Sequence, residues 1–199
     1  MPSISYKIFV TSICIFFLWQ LQNYTLALEF DRKLIFSGEI WRIWTAHFVH
    51  SNNNHFALNA IAGVITYSFF YKSINIKVLL IQWGVLSMLI SLALLMVYPN
   101  IQWYNGLSGL LHAFVAYSAT EKALQKKPLF LTILVILCGK VLYEMVRTQL
   151  GYRNMLGEIA IIFEAHVCGV LVGILIALIA RLFSSKPVLN RLSQEPRIE

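Results

Sequence analysis

Seven polar side chains with catalytic chemistry fall in or at the edge of apolar segments of this 199-residue chain: His55, Asn59, Ser108, His112, Glu144, Glu164 and His166. Such groups are costly in a membrane-length apolar segment and are functional candidates by default. A serine becomes a nucleophile when a base takes its proton, and histidine is the usual base; the carbonyl under attack then needs donors for its developing oxyanion. Ser108 with His166 could supply the nucleophile and the base. His55, Asn59 and backbone N–H groups near Ser108 could supply the donors. Gly106 and Gly109 flank the serine and allow the close backbone approach that a nucleophile turn needs. Cys14, Cys138 and Cys168 are odd in number and widely spaced, so neither a disulfide framework nor a metal site is indicated. The chemistry expected of these residues needs no metal and no organic cofactor.

Positioning such groups takes helices. Apolar spans can be drawn at 8–28, 56–71, 78–97, 106–120, 129–142 and 159–180, joined by a long outer loop at 29–55. Ser108 stands 13 residues before Glu121 and Asn59 13 before Lys72, about 20 Å along a helix; His166 stands 15 before Arg181, about 22 Å. Three spans running in one direction therefore bring a hydroxyl, an amide and an imidazole to nearly one level. His55 lies one turn above Asn59 on the same face. The fourth span has only 15 residues, about 22 Å, so its outer end with Ser108 is expected to be sunk in the protein beside a wet cavity. On the sixth span Ala165, Gly169 and Gly173 form a small-residue stripe that lets two membrane helices touch closely, which would carry His166 to Ser108.

Composition agrees with the spans. The chain is 58% apolar and 13% charged, against roughly 25% charged in soluble domains. No Asp, Glu, Lys or Arg occurs from Val78 to Thr120. A net charge of +7 could suit nucleic acid, but the bases sit in short clusters between apolar spans, the pattern of membrane topology, and no nucleic-acid partner is expected. With the N-terminus cytoplasmic, 10 of the 16 basic residues fall on the inner side, which places both termini inside. The N-terminal stretch has no small-residue cleavage site and reads as a retained first helix. The outer loop, with Trp41, Trp44, Phe48 and three histidines, has the composition of a headgroup-level segment.

Glu39-Ile40-Trp41-Arg42, His50 followed by His55-Phe56-Ala57-Leu58-Asn59, Gly106-Leu107-Ser108-Gly109, and Ala165-His166-Val167-Cys168-Gly169 through Gly173 together resemble the rhomboid family of intramembrane serine proteases. The resemblance implies an all-α membrane protein: a six-transmembrane-helix rhomboid-like bundle with a short, recessed central fourth helix over residues 1–183, and a cytoplasmic tail at 184–199. It implies Ser108 as nucleophile, His166 as general base, and His55 and Asn59 around the oxyanion, with no carboxylate as a third member. Gly106, Gly109, Gly169, Gly173, Trp41 and Arg42 are supporting residues, the last two as loop anchors with Arg42 near Glu39.

Within the family, the run from Gly106 to His112, the small size and the Lys140 to Glu144 stretch resemble the rhombosortase branch of Gram-negative bacteria. That branch is associated with cutting C-terminal, Gly-Gly-containing sorting tails of exported proteins. The expected partners are then membrane-anchored protein substrates and the lipid bilayer of a bacterial inner membrane, with the site opening to the outer side; no oligomeric state follows. A general rhomboid protease with other substrates and a non-catalytic, helix-binding rhomboid-like protein are the alternatives. His112, one turn below Ser108, and Glu164, two residues before His166, are candidates to support the serine and histidine from behind. Glu164 points about 200° away from His166 and could line the outer cavity, meet Lys140 or Arg147, or read a basic substrate.

Overall fold

A computed structural model describes residues 13, 15–71, 75–152, 155–156 and 159–184. The first twelve residues of the chain, and with them the start of the expected first span and most of the expected tail, lie outside the described residues. From residue 15 the chain is helical, tightens to a 3-10 turn at Leu21–Tyr24 and ends in α1, Thr25–Leu28.

The outer loop is a folded unit. It holds β1 (Phe30–Asp31), α2 (Arg32–Phe36), α3 (Arg42–Thr45) and a 3-10 turn at Ala46–Phe48. Asp31 caps α2 by accepting the Leu34 N–H at 3.0 Å, the usual use of Asp at a helix start. β1 pairs antiparallel with β2 (Trp103–Tyr104), Phe30 opposite Tyr104, so the loop is tied to the chain just before Ser108.

The helices that follow are α4 (Asn53–Thr66), continued by a π-helical turn at Tyr67–Tyr71, α5 (Ile76–Val97), α6 (Ser108–Leu124), α7 (Pro128–Gln149) and α8 (Phe163–Ser184). Asn52 and Asn75 cap α4 and α5 through their side chains, accepting the N–H groups of His55 and Lys77 at 2.9 and 2.8 Å. α5 stops just short of Pro99, whose ring cannot continue a helix. Pro128 opens α7, at a position where a missing N–H costs nothing.

Among the described residues three helices are long and apolar enough to cross a membrane: Ile76–Val97, Pro128–Gln149 and Phe163–Phe183. Two expected span boundaries are corrected. The fifth span runs to Gln149 rather than 142, because Glu144 is buried and paired instead of marking the water boundary. Gly151, at φ +82°, then closes the helix through Gly151 N–H to Thr148 O and Tyr152 N–H to Arg147 O, both 3.0 Å. The sixth helix begins at Phe163 rather than 159, since Ile159–Ala160 (β4) pairs with Met155–Leu156 (β3); β-branched Ile159, Ile161 and Ile162 favour extended backbone there.

The core lies where α5, α6 and α8 meet, built from Leu86, Ile90, Leu94, Leu110, Ala113, Phe114, Ala165 and Cys168. α6 packs most extensively on α8. Outward faces stay apolar: Leu80, Ile81, Val135, Ile136, Leu171 and Leu175 are exposed, as expected of helices solvated by lipid. Cys138 is exposed, whereas Cys168 is buried.

Candidate active site

The backbone before Ser108 is fixed from several sides. Gly106 takes φ +122°, a conformation that a side chain makes strained. Its N–H donates to Ala46 O at 3.0 Å, and its carbonyl accepts from the Tyr104 hydroxyl at 2.5 Å. A Cβ at Gly106 would meet the His55 ring at 2.8 to 2.9 Å, with Asn59 Nδ2 at 3.7 Å. His55 and Asn59 are therefore packed on the residue two before Ser108. The Asn59 Nδ2 is buried and, among the described residues, has no hydrogen-bond partner.

His50 holds the next residue. Its Nδ1 faces Gln22 Oε1 at 3.2 Å and its Nε2 accepts the Leu107 N–H at 3.4 Å. Accepting at Nε2 requires a neutral ring, and burial pushes the His50 pKa down to about 3. His47, wholly buried against Ser87 O and Ser91 Oγ, is pushed down to about 4 for the same reason.

α6 begins at Ser108 itself. Glycines bring α8 against it: a Cβ on Gly169 would collide with Gly109 O, and one on Gly173 with Ala113 O and, at 2.9 Å, with Ala116 Cβ. A Cβ on Gly109 would lie 3.0 Å from Ala165 O and from the Tyr104 hydroxyl oxygen. The stripe on the sixth span is thus the seam along which the helices touch.

Across that seam His166 Nε2 lies 2.8 Å from Ser108 Oγ, and His166 is buried at 4% exposure. This is hydrogen-bond reach, the geometry in which an imidazole can take a hydroxyl proton. The other ring nitrogen, Nδ1, lies 2.8 Å from Glu144 Oε2. Glu144 Oε1 pairs with Lys140 Nζ at 2.9 Å, and the same ammonium is 2.9 Å from His112 Nε2 and 3.3 Å from His166 Nδ1. His112 Nδ1 donates to the Ser108 carbonyl at 2.7 Å, and the His112 and His166 rings stack at 4.1 Å and 13°.

The structure thus brings together Ser108, His166, His112, Gly109, Gly169 and Gly173, with His55, Asn59 and Gly106 immediately before them in the fold. Trp41 and Arg42 are away from the chemistry. Trp41 Nε1 donates to Ala27 O at 3.3 Å; Arg42 pairs with Glu39 at 2.7 Å and donates to the carbonyls of Leu26 and Glu29 at 3.0 and 2.7 Å. Glu164 is only half-buried, and among the described residues no ion pair reaches it. Lys140 lies on Glu144 instead, and Arg147 over the rings of Tyr143 and Tyr152.

Sequence reasoning left Glu144 without a role and placed His50 in a motif without giving it a contact. Lys140 and Glu144 did carry a signal: a Lys and a Glu four apart share a face, and these interrupt an otherwise apolar stretch. A cavity of about 530 Å³ opens beside His50, bordered by Gln22, Asn23, Ser51 and Asn53. Among the described residues no group of His, Cys, Asp and Glu could hold a metal ion.

The family model described as the Rhomboid domain matches residues 37–183. A comparison with curated proteins gave no match.

Proposed function

The chain belongs to the rhomboid family, and from that premise we propose that it is an active intramembrane serine endopeptidase, since the family consists in general of serine intramembrane proteases with some inactive members. The observation that carries the reading is the 2.8 Å separation of His166 Nε2 and Ser108 Oγ on helices locked together by glycines. Ser108 Oγ attacks a carbonyl of a substrate's transmembrane or juxtamembrane segment while its proton passes to His166 Nε2. That proton then goes to the leaving amine, and water resolves the acyl-enzyme. Asn59 Nδ2, His55 and backbone N–H groups at the start of α6 stabilise the oxyanion; the unpartnered, buried Asn59 amide supports this part.

We extend the reading to the setting: a six-span bundle in a bacterial inner membrane, its short fourth helix sunk from the outer surface, both termini cytoplasmic and the site open outward. Its substrates are membrane-anchored proteins, with C-terminal Gly-Gly sorting tails of exported proteins as the preferred class. Glycine weakens a helix by about 1 kcal/mol per residue relative to alanine, so a Gly-Gly segment exposes its peptide bonds to attack more readily than an intact helix does.

The test uses purified protein in liposomes, a tagged single-span substrate with a Gly-Gly segment, and a fluorophosphonate probe. Release and probe labelling are expected from the native chain and lost, by on the order of a thousandfold or more, in Ser108→Ala and His166→Ala. Unchanged release by Ser108→Ala overturns the protease reading in favour of a helix-binding protein. Equal release after Gly-Gly is replaced by Val-Val leaves a general rhomboid protease.

A further inference from the structure

We propose that Glu144, reaching across from α7, is a positioning residue that sets the tautomer of His166, with Lys140 holding its carboxylate in place. The inference rests on the Ser108 and His166 reading above. A neutral imidazole carries one N–H, and which nitrogen bears it decides whether the ring can act as a base toward Ser108. His166 Nδ1 has two neighbours that ask for opposite answers. Glu144 Oε2, at 2.8 Å, is an acceptor and needs Nδ1–H; Lys140 Nζ, at 3.3 Å, is a donor and would need a bare Nδ1. In the second case the proton sits on Nε2 and points at Ser108 Oγ, so the base is lost.

The surroundings resolve the competition. The ammonium already has two closer acceptors, Glu144 Oε1 and His112 Nε2, both at 2.9 Å. His112 can accept there because its own proton is on Nδ1, donated to the Ser108 carbonyl at 2.7 Å. Glu144 is thereby held at both oxygens, one on Lys140 and the other on His166. His112 stays neutral where its ring stacks on His166, so it adds no positive charge beside the imidazolium that forms when Nε2 takes the serine proton; the charge of the nearby Lys140 ammonium is offset by its pairing with Glu144. In that step the Nδ1–H stays on the ring, Glu144 remains ionised, and the proton gained at Nε2 leaves with the departing amine.

Burial points the same way. Glu144 is 6% exposed, and it and Val141 are the buried residues of α7. A carboxylate on a lipid-facing helix is turned inward at the one place where it meets the base. A mere anchor for α7 could equally be a glutamine. For orienting the base it could not, because the amide can donate to Nδ1 and favour the Nε2–H form.

Two measurements test this in the full-length protein in detergent. The ¹⁵N signals of the His166 ring in the native chain are expected to show Nδ1 protonated and Nε2 bare; Nε2 protonated at rest overturns the proposal whatever any variant does. In Glu144→Gln, fluorophosphonate labelling of Ser108 is expected to fall by about 10³- to 10⁴-fold, the scale seen when the carboxylate of a soluble triad becomes an amide, while the ring signals move toward Nε2–H and the melting temperature changes little. Labelling within tenfold of native, or an unchanged tautomer, overturns it. Failure of the native chain to label at all would instead count against the serine protease reading, leaving the tautomer to judge Glu144.

Discussion

At the level of single residues, polar groups in the outer loop tie it to the helices beside it. Arg32 donates to four carbonyls around the end of α5: Ile101 O at 2.9 Å, Leu95 O at 2.9 Å, and Leu94 O and Tyr98 O at 2.8 Å. It serves as the cap that α5 lacks, with a positive charge at the negative end of the helix dipole. Arg32→Ala removes this donor from Leu95 O and Ile101 O, while Leu94 O and Tyr98 O keep the N–H groups of Tyr98 and Ile101, and is expected to cost about 2 to 3 kcal/mol, the scale of hydrogen bonds to charged groups; the midpoint of denaturant unfolding in mild detergent measures it. The second prediction concerns acid. His47 and His50 titrate near 6.5 when unfolded and are held neutral to about 4 and about 3 in the fold by burial. Between those limits the unfolded chain binds more protons, so their contribution is complete above 6.5 and is lost as the pH falls toward 3. Each adds a slope of up to about 1.4 kcal/mol per pH unit. In a plot of unfolding free energy against pH, His50→Gln is expected to remove about half of the part due to this pair, and an unchanged slope refutes the assignment. Neither role could be read from the sequence. A histidine in an aromatic loop looks the same exposed or buried, and Arg32 meets its acceptors more than 60 positions away.

At the level of elements, the seam between α6 and α8 decides whether the site exists. Gly169 and Gly173 have no room for a Cβ against the α6 backbone, whereas Gly139 on α7 has nothing within 4 Å. Gly173→Ala must push α8 away from Ala113 and Tyr117, a strain of about 1 to 3 kcal/mol, and the displacement also separates His166 from Ser108. Thermal stability and fluorophosphonate labelling should both fall in this variant. Gly139→Ala is expected to keep both and to gain up to about 1 kcal/mol from helix propensity. Equal behaviour of the two would mean that the seam does not hold the site. The stripe was legible because small residues at helical spacing have a direct geometric meaning. The ends of the helices were less so. The fifth span is expected to end at 142, but Glu144 is satisfied by His166 and Lys140, and the helix runs through it. Which face of one helix meets which face of another depends on packing, so residues 22 positions apart could be named without being paired.

At the level of the whole molecule, charge and aromatic rings are distributed unequally between the two ends of the bundle. One end carries the turn between α6 and α7, where Lys126 takes φ +61° and Lys122 lies over the rings of Phe130 and Phe70 at 4.7 and 5.6 Å. The other carries exposed Trp41, Trp44 and Trp103 on the outer loop and β2. Basic clusters favour the cytoplasmic side and tryptophans the headgroup level. Ser108 begins the helix whose far end is the basic turn, and α6 has 17 residues, about 25 Å of rise. The site therefore lies toward the tryptophan end, and an orientation measured anywhere on this axis fixes the side from which substrate arrives. With Cys14, Cys138 and Cys168 replaced by alanine, single cysteines at the exposed positions Ser37 and Lys126 report on the two ends. A membrane-impermeant maleimide applied to intact cells is expected to label Ser37→Cys and to reach Lys126→Cys only after the cells are opened. The reverse pattern would put Ser108 on the cytoplasmic side, where an exported protein that has already folded outside could not present its C-terminal tail.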